Sequence, residues 1–416
     1  MKKKRHFKIR YIILGLMIIV LLSSIVFMRL GGFSTGKVAN VDEFEEYAQS
    51  VGNLYIPKDK KIIALGEATH GNIEFQQLKL DVFKQMVENY GVRAFALEGD
   101  YGGCEQVNQY IHGGEGTAQE AAAAIGFVIY RTDEMAELIS YMREYNKSAL
   151  EGEDIRFYGF DMQRISYTFQ FLIEACMELK IDTTSLEELV VGENLNPAYG
   201  LSTQVEVLTQ VKSELKDNGA SDKMIHYVDM FLQYCELRSM STSDGSVLRD
   251  EFMAENVKWI LQQEQLNGHE RIFVTGHNSH VAKWGSYDSM GRILSKEAEN
   301  GYYVIGTDFY RTRCNMPTHS SAKRTYQVFY SHAPLAKAAK LAGYDICWLD
   351  FAEVPENSEL GRQISEYTYM GNLGESYSII MRLLPPSYRM FQPPAVLYDS
   401  MIFVSDAVPT KIVSEE

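Results

Sequence analysis

Apolar residues in this chain come in short blocks that stop abruptly at a polar or charged side chain. Lys61–Leu65 runs into Gly66-Glu67-Ala68-Thr69-His70-Gly71. Arg93–Leu97 runs into Glu98 and Asp100, and Ile155–Phe160 into Asp161. Arg271–Thr275 runs into His277 and His280, and Tyr302–Ile305 into Thr307 and Asp308. Blocks of this length, rich in β-branched and aromatic residues, predict strands. After His70 the period changes. Ile73, Leu78, Val82, Phe83, Met86, Val87 and Tyr90 recur at helical spacing and predict an amphipathic helix. Strands alternating with helices predict an α/β fold with a mostly parallel central sheet. Ligands of such sheets bind beyond the carboxyl ends of the strands. The polar residues that end five strands therefore predict one shared rim.

Other segments break the alternation. Residues 166–265 are helix-prone and contain one proline, Pro197. They predict a helical insertion between the third and fourth sheet strands, placed as a lid or a cleft wall. Ile346–Phe351 and Tyr377–Leu383 read as further strands. At the amino terminus, Lys2, Lys3, Lys4, Arg5, Lys8 and Arg10 precede the uncharged run Tyr11–Met28, which is about long enough to span a bilayer. No small-x-small cleavage site follows it, which favours an uncleaved anchor over a signal peptide. The positive-inside rule then places the amino terminus in the cytoplasm and the body outside. The expected organisation is a basic tail and transmembrane signal anchor at 1–30, a linker at 31–40 and one catalytic domain at 41–416.

Composition narrows the partners. The chain has 416 residues, 46% hydrophobic, with a net charge of −15. Nucleic-acid binding demands a basic footprint, so an acidic body argues against it. Cys104, Cys176, Cys235, Cys314 and Cys347 are odd in number and lack CxxC spacing. They predict neither a disulfide framework nor a structural zinc site, and leave a single disulfide open.

Glu67 and His70 sit three apart at a turn. Histidine titrates near neutrality and can take a proton from water, and a neighbouring carboxylate can orient the ring. The competing reading is helix capping by Thr69 or Asn72. Glu98 is either a second acid or an ordinary strand end. His277 and His280 fall within one strand terminus, which favours a site over a lone structural histidine. His70, Glu98, His277 and His280 have ligand types suited to zinc or manganese, but no HExxH spacing is present. A GxSxG elbow, GxGxxG and Walker motif are also missing from the sequence. Arg249, Glu255 and Asn256 share a predicted helix, where a rim position competes with a solvated face.

The ordered motifs GEATHG, ALEGD, RTDEMAELISYMREYN, YGFDMQ, RDEFMAENV and GHNSHVAK resemble those of the erythromycin esterase family. The resemblance spans about residues 45–310. It implies an α/β core with a helical subdomain around a deep cleft, and hydrolysis of the lactone ester of macrolide antibiotics without a metal or other cofactor. It gives His70 the role of general base, Glu67 that of orienting it, Glu98 that of a second acid, and His277 that of acid/base or oxyanion stabiliser. His280 supports that cluster. Asp100, Arg249, Glu255 and Asn256 are candidate supporting or substrate-binding residues. Lys79 stands where the family often has arginine, and Tyr130 where it tends to have tryptophan. Lysine lacks arginine's bidentate fork. The expected partners are a small-molecule ester or lactone and, through the N-terminal helix, a membrane. Two other functions fit the same residues: a metal-dependent hydrolase of peptide or envelope material, and a non-catalytic surface protein that binds an envelope ligand.

Overall fold

A computed structural model describes residues 2–29, 37–298 and 300–413. Its centre is an eight-stranded sheet. The strands are β1 (Ile62–Glu67), β2 (Ala94–Asp100), β3 (Arg156–Asp161), β4 (Ile272–His277), β5 (Tyr302–Thr318), β6 (Ser321–Tyr330), β7 (Ile346–Asp350) and β8 (Ser400–Ala407). The spatial order is β3-β2-β4-β1-β5-β8-β7, with β6 paired to β5. The first five neighbour pairs of that order run parallel, while β7 and β6 run antiparallel to their neighbours. Every residue of β1 and β4 is buried, as expected of strands covered on both faces.

Register sets the site. Glu67 lies opposite His277 across the β1–β4 ladder, one step beyond Gly66 opposite Gly276. Both glycines are needed because the strands are crowded at their ends. A Cβ on Gly66 would fall 2.1 Å from Asn278 Oδ1, and one on Gly276 3.0 Å from Glu98 Oε2. The helix after β1 spans Ile73–Tyr90 and buries Phe75, Leu78, Val82, Phe83, Met86 and Val87 against the sheet. Phe83, Phe95, Phe157 and Phe273 form its aromatic floor, with ring centroids 5.1–5.7 Å apart. Gly91, at φ 67°, ends the helix in the left-handed conformation.

Between β3 and β4 the chain forms helices Ser166–Glu178, Leu201–Asp217, Asp222–Ser239 and Thr242–Leu266, with a two-residue hairpin at 190–195. The last of these helices lies along β3 and supplies one wall of the cleft described below.

Three expectations need correction. Tyr377–Leu383 is not a strand. Ser378 caps a short helix, Ile379–Leu383, by accepting from the Met381 amide. β5 does not stop at Thr307 and Asp308 but continues to Thr318, because it pairs with β6 in a long hairpin. Asp308 is consequently buried along the strand, where it accepts from Phe309 N, Gly371 N and Ser331 Oγ. Finally, Lys2–Arg29 is one helix, whose described side chains run from Tyr11 to Val26. Among the described residues no helix is long and apolar enough to cross a membrane. The side chains of the basic tail, and most of the linker, lie outside the described residues.

Candidate active site

The carboxyl ends of β1, β2, β3 and β4 meet at one rim, as parallel neighbours must. A cleft of about 390 Å³ opens there, lined by His70, Glu98, Asp161, Arg249, His277 and His280 among others. Phe127, Ile129 and the loop residues Asn372, Gly374 and Glu375 complete its walls.

His70 lies just beyond β1 and is 7% exposed, on the wall of the cleft. Nδ1 donates to Glu67 Oε2 at 3.0 Å. That fixes the ring and leaves Nε2 as the atom able to take a proton. Glu67 is buried and held by three groups. Lys79 Nζ donates to Oε2 at 2.9 Å and Gln76 Nε2 to Oε1 at 3.2 Å, alongside His70. Gln76 and Lys79 are three apart on the first turns of helix Ile73–Tyr90, so both reach back over the end of β1. Burial alone would raise the pKa of Glu67, but Lys79 and then His70 outweigh it and bring it to about 2. Burial likewise works against a charged His70, yet Glu67 and Glu98 shift its pKa upward. The capping alternative does not describe this turn. Asn72 occupies the cap position without a side-chain cap bond, and its amide instead donates to Arg313 O and Val408 O.

Arg249 enters from helix Thr242–Leu266 and ties the other acids together. Its Nε and Nη2 grip both oxygens of Asp161 at 2.6–3.2 Å, and Nη2 also donates to Glu98 Oε1 at 2.8 Å. Glu98 Oε2 accepts the backbone N–H of His277 at 2.7 Å. Burial opposes the Glu98 charge, but His280, Arg249 and His70 hold its pKa far below the usual carboxylate range. Tyr130, buried behind the rim, donates to the Glu98 carbonyl at 2.8 Å.

The two histidines of GHNSH differ. His277 stands 5.1 Å from the His70 ring, centre to centre. Both its nitrogens are engaged: Nε2 donates to Leu373 O at 3.0 Å, and Nδ1 accepts from Ser279 Oγ at 2.6 Å. Burial, then His70 and His280, lower its pKa to about 3. It is a neutral ring with no unpaired nitrogen. His280 donates from Nδ1 to Asp250 Oδ1 at 2.8 Å. Burial would lower its pKa, but Glu98 and Asp250 raise it.

Several sequence-predicted residues fall elsewhere. Lys79 is 1% exposed and does not line the cleft, so it neutralises Glu67 rather than touching a ligand. Asp100 caps helix Tyr101–Ile111 through the Gly103 amide and accepts from Arg164 N; burial raises its pKa to about 7. Glu255 is exposed, because it sits six residues after Arg249 and points off the opposite side of the helix. Asn256, one residue on, is buried and clamps the helix to Phe160 O and Gln233. Asp161 stands in the sequence only as a strand end, with no chemical role attached, and Asp250 is not among the sequence candidates. The signal for Asp161 was its strand-end position, and for Asp250 its adjacency to Arg249.

The five cysteines are free and buried. Among the described residues no group of three His, Cys, Asp or Glu side chains is arranged to hold a metal ion.

Lys79→Gln is expected to lower folding stability by about 1–3 kcal/mol, since it removes the cation from a buried carboxylate while keeping an amide donor. A urea titration checks this. An unchanged midpoint would show that Glu67 does not depend on Lys79 for its charge.

A family model described as Erythromycin esterase matches residues 87–407. Erythromycin esterase type II of Escherichia coli is 26% identical over 317 residues, 65% of this chain and 73% of its own length. A crystal structure of a Bacillus cereus protein shares the fold at a TM-score of 0.75 and 18% identity, covering 90% of this chain and 100% of that one. The erythromycin esterase EreC, a mutant in its open conformation, matches at a TM-score of 0.60 and 15% identity, covering 86% and 93%. With a family model spanning well over half of its length, this chain belongs to the erythromycin esterase family.

Proposed function

We propose that this protein hydrolyses an ester or lactone with water activated by His70. The observation that carries this reading is the buried Glu67–His70 pair, joined at 3.0 Å, with His70 on the wall of the cleft and Glu67 behind it. Nε2 takes a proton from a water held against the substrate carbonyl. Glu67, kept ionised by Lys79, stabilises the imidazolium that results. Excluding bulk water strengthens each of these interactions. Glu98 and Asp161 neutralise Arg249, so the guanidinium shapes the rim rather than acting as a free cation. His277, with both nitrogens bonded, positions the His70 side of the cleft against the loop at Leu373. A macrolide lactone is the substrate class suggested by the name of the Escherichia coli relative.

Incubation with erythromycin and a panel of simple esters, followed by acid release in a pH-stat, tests the reading. Wild-type protein is expected to release acid from at least one of them and His70→Ala to release little. Equal turnover by both proteins would remove His70 from the chemistry.

We also propose that the amino-terminal helix associates with a membrane. Support comes from side chains such as Ile12, Leu16, Met17, Ile19 and Val20, each more than half exposed. Fractionation of cells expressing the full chain, with and without residues 1–30, is expected to move the protein from the membrane pellet to the soluble fraction. Identical distributions would exclude attachment through this helix.

A further inference from the structure

The cleft does not end at the rim. A second lobe of about 550 Å³ continues from it and shares Gln163, Arg249, Ser279 and His280 with the first. It runs beneath the turn between helices Asp222–Ser239 and Thr242–Leu266, where Met240, Gly245 and Ser246 line it, and reaches Tyr287. His70 lines only the first lobe, whereas His280 lines both. A scissile carbonyl placed at His70 therefore has a polar route, past His280, along which its alcohol portion can extend.

We infer that the alcohol portion of the substrate occupies this second lobe, and that His280, held by Asp250, donates the proton the departing oxygen needs. The inference rests on the hydrolytic reading above and adds a second proton-transfer group to it. Asp250 is fully buried and accepts three hydrogen bonds: from His280 Nδ1 at 2.8 Å, from the Tyr287 hydroxyl at 2.7 Å and from Met290 N at 2.9 Å. Three donors on one carboxylate fix its position. The carboxylate in turn fixes the proton on Nδ1, so Nε2 is the exchanging atom. That atom lies 3.4 Å from Glu98 Oε1 and 3.3 Å from Arg249 Nη1, at the junction of the lobes. The charged and titratable groups facing the ring are Glu98 from β2, Arg249 and Asp250 from helix Thr242–Leu266, Tyr287, and His277 at 6.3 Å between ring centres. Two carboxylates against one guanidinium favour the imidazolium form.

The proton balance closes. His70 Nε2 takes one proton from water, and the hydroxide oxygen bonds to the carbonyl carbon. The bond from that carbon to the alkoxy oxygen then breaks, and its electron pair stays on the oxygen. The oxygen takes the proton from His280 Nε2. An acid and an alcohol leave, carrying the elements of water between them. One proton passes through solvent from His70 to His280 to restore both rings.

An aliphatic alkoxide leaves poorly unless protonated, whereas p-nitrophenolate leaves unaided. Asp250→Asn is therefore expected to cut kcat/KM for an aliphatic ester about 100-fold, and that for the p-nitrophenyl ester of the same acid less than about 3-fold. Loss of the Asp250 charge also weakens the imidazolium, so the alkaline limb of the aliphatic-ester profile moves to lower pH. A similar loss on both esters would overturn the inference. If circular dichroism shows Asp250→Asn unfolded, His280→Gln asks the same question, and an equal loss on both esters overturns the inference again. His70→Ala keeps the two readings apart. If it still hydrolyses either ester like the wild type, or if no ester is turned over at all, the hydrolytic reading fails and this inference falls with it. If only the leaving-group difference is missing, the assignment of His280 and Asp250 fails alone.

Discussion

Arg249→Leu is expected to lower folding stability by about 3–5 kcal/mol, the cost of leaving buried charges without their partner. Asp161 is fully buried and Glu98 nearly so, and Arg249 donates to both. Without the guanidinium, Asp161 keeps only its contact to the Met162 amide among the hydrogen bonds described here. Glu98 retains His280 at 3.4 Å and the His277 amide. The loss is therefore expected to come mainly through Asp161. A leucine in both places, Arg249→Leu with Asp161→Leu, is expected to recover part of the stability, since an apolar pair can replace a buried ion pair at small cost. Lysine at 249 keeps the charge but cannot grip two oxygens of one carboxylate and reach a second acid, so it should fall between. Urea midpoints of the four proteins check the order. A single-mutant cost below about 1 kcal/mol would mean that water reaches the pair and screens it.

His70→Ala carries the largest expected effect on activity. Removing a positioned general base typically costs about 10²–10⁴-fold. The pH profile distinguishes this from a packing effect. His70 works as a base only when neutral, and Glu67 shifts its pKa upward from the usual histidine value of 6.5. Activity is thus expected to rise with pH through a limb displaced above that value. Glu67→Gln removes the anion that stabilises the imidazolium, so the pKa falls and the acid limb moves to lower pH. The plateau falls as well, because the ring is less basic and less firmly held. A Glu67→Gln enzyme with reduced rate and an unmoved limb would show that the limb belongs to another group.

Much of the rim was legible from local pattern. Glu67, Glu98, Asp161 and His277 each follow an apolar block, and strand ends in a parallel sheet share one edge. The helix after His70 was equally plain, since its buried positions follow the 3.6-residue period. What could not be read was side-chain direction at long range. Lys79 faces the strand it follows rather than the cleft, because helix Ile73–Tyr90 turns back across the end of β1. Arg249 and Glu255 share a helix but point opposite ways, and only docking against β3 decides which face is inside. The importance of Asp250 depends on Tyr287 and Met290, some 40 residues later in sequence. β5 overran its expected end because it pairs with β6, whose strand pattern begins only after the polar stretch Lys323-Arg324 and is not preceded by a polar strand end like the others. The short helix after Ser378 was read as a strand because a run of five residues fits either period.

The way Arg249 joins the helical insertion to the sheet bears on how such a protein can diversify. The insertion shapes the cleft, so it is the natural place for change when a new substrate is met. Yet its longest helix also delivers the counter-charge for two acids of the rim. A shift of that helix large enough to admit a different ligand would disturb the charge balance of the centre in the same step. Inheritable variation in substrate choice should therefore gather where the walls are free of this duty: the helix-to-helix turn around Met240–Gly245, and the loop from Asn372 to Glu375.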